Sequence, residues 1–148
     1  MNISDILTPK RTLSDLACAS KKRTLESISQ WLSDQMSDFD SKELFNALIT
    51  REKLGSTGFG DGIAIPHCRL ASCTHVTGAL VRLTNAVDFD AIDQQPVDLL
   101  FVLLVPLEAT DEHLQILATL AGCFGQAEFR ESIRQAPDAD AMYKIAIA

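Results

Sequence analysis

"DLLFVLLV", residues 98–105, is the stretch on which the fold turns, because after Asp98 seven apolar residues follow one another without a polar break. A half-buried strand alternates apolar with polar side chains, so this run predicts a central strand covered on both faces. Such a strand needs helices on each side of its sheet, and the chain supplies them. Over residues 21–36, Leu25, Ile28, Leu32 and Met36 recur at steps of three and four, which predicts one apolar helical stripe. Asp40, with Glu43 three positions on, predicts the N-cap of a second helix with Leu44, Phe45, Leu48 and Ile49 inward and Gly55 as its stop.

Beyond these lie "GIAI" at 62–65 and the alternating "TGALVRLT" at 77–84, both short enough to be strands. After Pro106 the pattern is helical again, with Leu114, Leu117, Leu120, Ala121 and Phe124 on one face, a cap at Thr110 or Asp111 and an end at Gly122 or Gly125. A last amphipathic segment runs over 138–147. Helices alternate with strands, which predicts an α/β fold: a single layered domain over residues 1–148 with a mixed central β-sheet flanked by helices.

Composition agrees. A chain of 148 residues with 47% hydrophobic and 22% charged side chains is globular, and one of this size buries roughly 68–70% of its unfolded surface. A net charge of −7 argues against nucleic acid as a partner, since a phosphate backbone requires a basic face. Lys10, Arg11, Lys21, Lys22 and Arg23 gather near the start and read as a solvated surface. No apolar run reaches the roughly 20 residues of a membrane helix. With no secretion signal, the four cysteines read as reduced thiols of a cytoplasmic chain.

The chemistry concentrates in "GSTGFGDGIAIPHC", residues 55–68, where Gly55, Gly58, Gly60 and Gly62 precede Pro66 and His67. Such a loop can be a phosphate cradle, a metal site or an ordinary connection. No glycine is followed by lysine, so a Walker loop is excluded, and the alternating glycines do not make the GxGxxG of a dinucleotide site. His67, Cys68, Cys73 and His75 are zinc-binding types, but His67 and Cys68 are neighbours that an extended chain turns to opposite sides, and no CxxC knuckle is present. No metal is expected.

Two readings of His67 stand on the residues alone: a satisfied structural ring, or a phosphoryl acceptor. Imidazole offers an unprotonated nitrogen near neutral pH and also leaves well once protonated, so it can take a phosphoryl group and release it. Side-chain-free amides of the glycine loop can then line up toward the phosphoryl oxygens, and Ser56 and Thr57 can add hydroxyls. Arg51, in the last turn of the second helix, can lean over the loop. At about 4 Å and an effective dielectric of about 20, its charge pair with a phosphoryl oxygen is worth on the order of 4 kcal/mol before desolvation. Pro66 fixes the chain direction and so presents the ring.

"TREKLGSTGFGDGIAIPH", residues 50–67, resembles the active-site signature of the enzyme IIA proteins of the fructose/mannitol and nitrogen-related phosphotransferase systems. "FDAIDQQPVDLLFVLLVP" at 89–106 resembles that family's second block, and "HLQILATLA" at 113–121 its histidine-led helix, so the likeness covers nearly the whole chain as one IIA type-2 domain. The resemblance implies a cytoplasmic carrier that receives a phosphoryl group on His67 from an HPr-like carrier (NPr), itself charged by enzyme I and phosphoenolpyruvate. It gives Arg51 the contact to the phosphoryl group, His113 the hydrogen bond that supports the first histidine, and Gly55, Ser56, Thr57 and Gly58 the phosphoryl-binding loop. No cofactor is implied.

Cys68 stands where a small residue such as glycine is expected, and Asp61 where asparagine is common; neither removes a group that transfer requires. Fructose-type domains commonly sit in longer chains, so a chain ending at 148 with nothing attached points to the nitrogen-regulatory branch, as does the wording of residues 91–106. Members of that branch act as regulators whose phosphorylation changes binding to target proteins such as kinases or transporters. The alternative is a IIA component of a fructose/mannitol-type sugar transport system that passes its phosphate to a IIB domain. A pure binding module, with the histidine as a switch, is the remaining rival.

Overall fold

The central strand exists as its composition requires. In the computed structural model, which describes residues 1–109 and 112–148, strand β6 (Val97–Pro106) lies inside a six-stranded mixed sheet. Before it come β1 (Thr12–Leu16), α1 (Lys21–Gln35), α2 (Ser41–Leu54), β2 (Gly58–Gly60), β3 (Ile63–Ala64), β4 (His67–Leu70) and β5 (Thr77–Val87). After it come α3 (Glu112–Phe124), α4 (Ala127–Gln135) and α5 (Ala139–Ile147). The main path of the sheet is β1-β5-β6-β3-β2, with β4 also paired to β6. β5 runs antiparallel to β6, whereas β3 and β4 run parallel to it.

Side chains of β6 divide strictly between two cores. Leu100, Val102 and Leu104 join Leu25, Ile28 and Leu32 of α1 and Leu44 and Leu48 of α2. Leu99, Phe101, Leu103 and Val105 join Ile116, Leu120 and Phe124 of α3, Ile133 of α4 and Met142 of α5. Each such side chain contributes roughly 1.5–3 kcal/mol on burial, so the strand anchors both layers at once. Asp40 caps α2 by accepting from the Glu43 amide at 3.0 Å, as its spacing predicts. Among the described residues no helix is long and apolar enough to cross a membrane.

Several expectations need correction. Met36 lies just past α1 as its C-cap, whereas Gly55 stops α2 where expected, in an extended conformation. Leu114 is 59% exposed, because the inward stripe of α3 runs through Ile116, Leu120 and Phe124 and leaves Leu114 to one side. The expected cap at Thr110 or Asp111 lies outside the described residues, and Gly125 rather than Gly122 follows the helix end. Helix α4 has only Ile133 fully buried and Phe129 partly so, too short a stripe to announce itself. Arg11 and Lys21 are not simply solvated: Arg11 Nε and Nη2 each donate at 2.9 Å, to the carbonyls of Gly78 and Ile6.

β2 and β3 form a tight hairpin in which Gly60, Asp61 and Gly62 all have left-handed φ, of 110°, 57° and 80°. A Cβ on Gly62 would run into the Arg134 guanidinium, and one on Gly58 would sit 2.7 Å from the Ala91 backbone. Close approach and turn geometry therefore account for these glycines. Asp61, which stands where asparagine is common, faces Arg130 of α4 at 3.7 Å. Gly58→Ala is expected to cost about 1–3 kcal/mol by overpacking. Gly122→Ala, whose Cβ meets nothing within 4 Å, is expected to gain about 0.5–1 kcal/mol inside α3. Urea unfolding midpoints of the two variants check both signs.

Candidate functional site

Pro66 interrupts the edge of the sheet and sets the histidine in place. Having no N–H, it cannot continue the ladder of β3, but its carbonyl accepts from Leu103 N at 2.8 Å and starts the pairing of β4 with β6. From there β4 alternates: Cys68 and Leu70 enter the core shared with α1 and α2, while His67 and Arg69 point the other way. Among the described residues no three His, Cys, Asp or Glu side chains converge as a metal site.

The His67 ring is held by one nitrogen. Its Nδ1 lies 2.8 Å from the Ile65 carbonyl, which can only accept, so Nδ1 carries the proton and Nε2 is left with its lone pair. Burial lowers the ring's pKa from 6.5; the Ile65 bond raises it, the Arg51 charge lowers it, Glu52 raises it and His113 lowers it. The net shift is downward, so at neutral pH the imidazole is uncharged and nucleophilic.

A pocket of about 640 Å³ opens beside the ring and brings together Arg51, His67 and His113, with Leu54, Arg69 and Val105 around them. Arg51 sits in the last turn of α2, where a cation suits the helix dipole, and its Nη1 donates to the Gly55 carbonyl at 2.9 Å. His113 lies in the first turn of α3, one step before the inward stripe, and is half buried. Its Nδ1 is shielded from solvent and has no hydrogen-bond partner among the described residues.

The glycine loop lies on the other side of His67. Ser56, Thr57 and Gly58 border a smaller hollow of about 270 Å³ that shares only His67 with the first. Its polar groups are largely committed within the protein. Ser56 Oγ donates to the Phe89 carbonyl at 2.5 Å and accepts from Gly58 N at 2.9 Å, while Gly55 N donates to the Glu52 carbonyl at 3.2 Å. Thr57 N and Oγ1 both donate to the Glu52 carboxylate, at 2.8 and 2.7 Å. An amide nest built from these groups is thus replaced by a braced wall. Gly55 serves instead to hold Arg51.

Three groups here escaped sequence reasoning. Glu52 is 5% exposed and is balanced by Lys21 Nζ at 2.9 Å, which also donates to the Phe89 carbonyl at 3.2 Å. Nothing in the spacing of a charged pair 31 positions apart (52 − 21) signals this contact. Arg69 was readable, since period two from His67 puts it on the same face. Its Nη1 donates to the carbonyls of Leu107 and Ala109 at 3.0 and 2.6 Å, tying down the connection that leads to His113.

Two outcomes follow for titration and reactivity. Because the folded ring binds its proton less readily than the unfolded one, the His67 contribution to stability is full above pH 6.5 and is lost as pH falls through the lower folded value. Arg51→Ala removes one lowering charge, so the His67 midpoint in an NMR titration moves up toward 6.5. Burial pushes the Cys68 thiol up to about 12, leaving it almost wholly protonated at pH 7.5. Brief native alkylation followed by peptide mapping is expected to label the partly exposed Cys18 and Cys123, with Cys68 and Cys73 reacting only after unfolding.

The family model for the phosphoenolpyruvate-dependent sugar phosphotransferase system, EIIA 2, matches residues 5–147. A nitrogen regulatory protein of Pseudomonas aeruginosa is 49% identical over 147 residues, covering 99% of this chain and 96% of that protein. Its Escherichia coli counterpart is 42% identical over 146 residues, covering 98% and 89%. The crystal structure of nitrogen regulatory protein IIA-Ntr from Neisseria meningitidis superposes with a TM-score of 0.90 at 43% identity, covering 97% of this chain and 98% of that one. With its mixed sheet, flanking helices and a match over almost its whole length, the chain belongs to the EIIA 2 family of the phosphotransferase system.

Proposed function

We propose that this chain is a phosphoryl-carrier protein, one domain over residues 1–148, in which Nε2 of His67 accepts a phosphoryl group from an HPr-like carrier (NPr) in the cytoplasm. The observation that carries the reading is the 2.8 Å bond from Nδ1 to the Ile65 carbonyl, which leaves the other nitrogen unprotonated beside a pocket lined by Arg51 and His113. In the transfer, the Nε2 lone pair forms a P–N bond as the P–N bond to the donor histidine breaks. The donor ring, protonated on its other nitrogen, keeps that electron pair and leaves as neutral imidazole. His67 keeps its Nδ1 proton and becomes a cationic phosphoimidazole, its N–H bond to Ile65 now charge-assisted.

Arg51 and His113 answer the charge on the phosphoryl oxygens, and the loop from Gly55 through Ser56, Thr57 and Gly58 walls the ring and holds Arg51 in position. The transfer as written calls for no metal or cofactor. Relatives named nitrogen regulatory protein, at 49% and 42% identity, favour a regulatory IIA component of the nitrogen-related system over a sugar-transport one. Its partners are then the carrier and target proteins such as kinases or transporters, and its net charge of −7 speaks against nucleic acid.

Incubation with phosphoenolpyruvate, enzyme I and the cognate carrier is expected to leave an acid-labile phosphoryl group on wild type and none on His67→Ala. Arg51→Ala is expected to accept the group about 100- to 1,000-fold more slowly. A wild type that stays unmodified overturns the carrier reading in favour of a pure binding module. Onward transfer of the label to added IIB domain would replace the regulatory role with sugar transport.

A further inference from the structure

The proton on His67 is held in place by hydrogen bonds that begin at the start of α1. Lys21 Nζ, at the start of α1, donates to Glu52 Oε1 at 2.9 Å. Thr57 N and Oγ1 donate to the two oxygens of the same carboxylate at 2.8 and 2.7 Å. Ile65 N donates to the Thr57 carbonyl at 3.0 Å, and His67 Nδ1 donates to the Ile65 carbonyl at 2.8 Å. Glu52, Thr57 and Ile65 are 5%, 8% and 6% exposed, so water has little access to compete for these links.

We propose that Glu52, charge-balanced by Lys21, is a positioning residue that holds Thr57, and through it the Ile65 carbonyl, where that carbonyl keeps the His67 proton on Nδ1. The inference rests on the carrier reading of His67 and adds to it the group that selects the reactive nitrogen. Three donors meet two oxygens at Glu52: the Thr57 amide, the Thr57 hydroxyl and the Lys21 ammonium. Only a carboxylate accepts all three, because an amide in its place would turn one acceptor into a donor facing other donors. The chain also continues sideways. The Phe89 carbonyl accepts from both Lys21 Nζ and Ser56 Oγ, which fastens the residue preceding Thr57 to the same cation.

Charge points the same way as geometry. The Glu52 carboxylate favours a positive charge on the His67 ring, and a phosphorylated His67 carries one.

The test combines the ring ¹⁵N spectrum of His67, which reports the tautomer and needs no phosphoryl donor, with the rate of acceptance from phosphorylated HPr-like carrier. Wild type is expected to show the Nδ1–H form. Glu52→Gln is expected to mix the two tautomers and to slow acceptance between about 10- and 100-fold. Thr57→Val is expected to follow partway, and Thr57→Ser, which keeps the hydroxyl, to restore both readouts. Folded variants with the wild-type tautomer overturn the inference, whether or not their rates fall. If Glu52→Gln does not fold, the Thr57→Val and Thr57→Ser pair decides on the same criteria. A wild type with the expected tautomer that accepts nothing overturns the carrier reading and leaves the spectroscopic result standing by itself.

Discussion

Seven consecutive apolar side chains in β6, from Leu99 to Val105, cannot be satisfied by one layer of helices, and the rest of the architecture answers that requirement. α1 and α2 cover one face; α3, α4 and α5, with Ile3, Ile6 and Leu7 at the start of the chain, cover the other. The functional elements inherit their positions from this arrangement. α2 carries Arg51 on one side of the sheet, α3 carries His113 on the other, and β4, paired to β6, brings His67 between them.

Electrostatically the site runs against the molecule. The protein as a whole carries −7, yet Arg51, Arg69 and His113 surround the ring, and the carboxylate closest to it in the chain of contacts, Glu52, is neutralised by Lys21. Burying that carboxylate carries a large desolvation cost, offset here because every donor around it is matched. Two guanidinium groups, Arg51 and Arg69, thus line the pocket beside His67 in a chain of net negative charge.

The layers and the site were legible in the sequence to different depths and for physical reasons. The unbroken run of β6, the stripe of α1 and the Asp40 cap follow from local rules, and the structure has all three. Helix α4 and the edge strand β1 were not visible, because a nine-residue helix with one fully buried side chain and a five-residue strand with one buried residue carry almost no period. Arg51, His67 and His113 could be named from motif likeness, and the structure lines one pocket with them. The glycine spacing suggests amides aimed at a ligand and gives no sign that Gly58 and Gly62 also answer to Ala91 and Arg134, contacts between segments far apart in sequence. Lys21 and Glu52 were hidden for the same reason.

The break at Pro66 has a mechanical consequence. On one side of it Ile63 and Ala64 are paired with Leu99 and Leu100, and on the other His67 and Cys68 are paired with Leu103 and Leu104, so both flanks are riveted to the same rigid strand. No slack is left at the histidine for a hinge. Under the carrier reading proposed above, a group on the ring would therefore be sensed by its own bulk and charge at that spot, by a protein that touches the rim of the pocket.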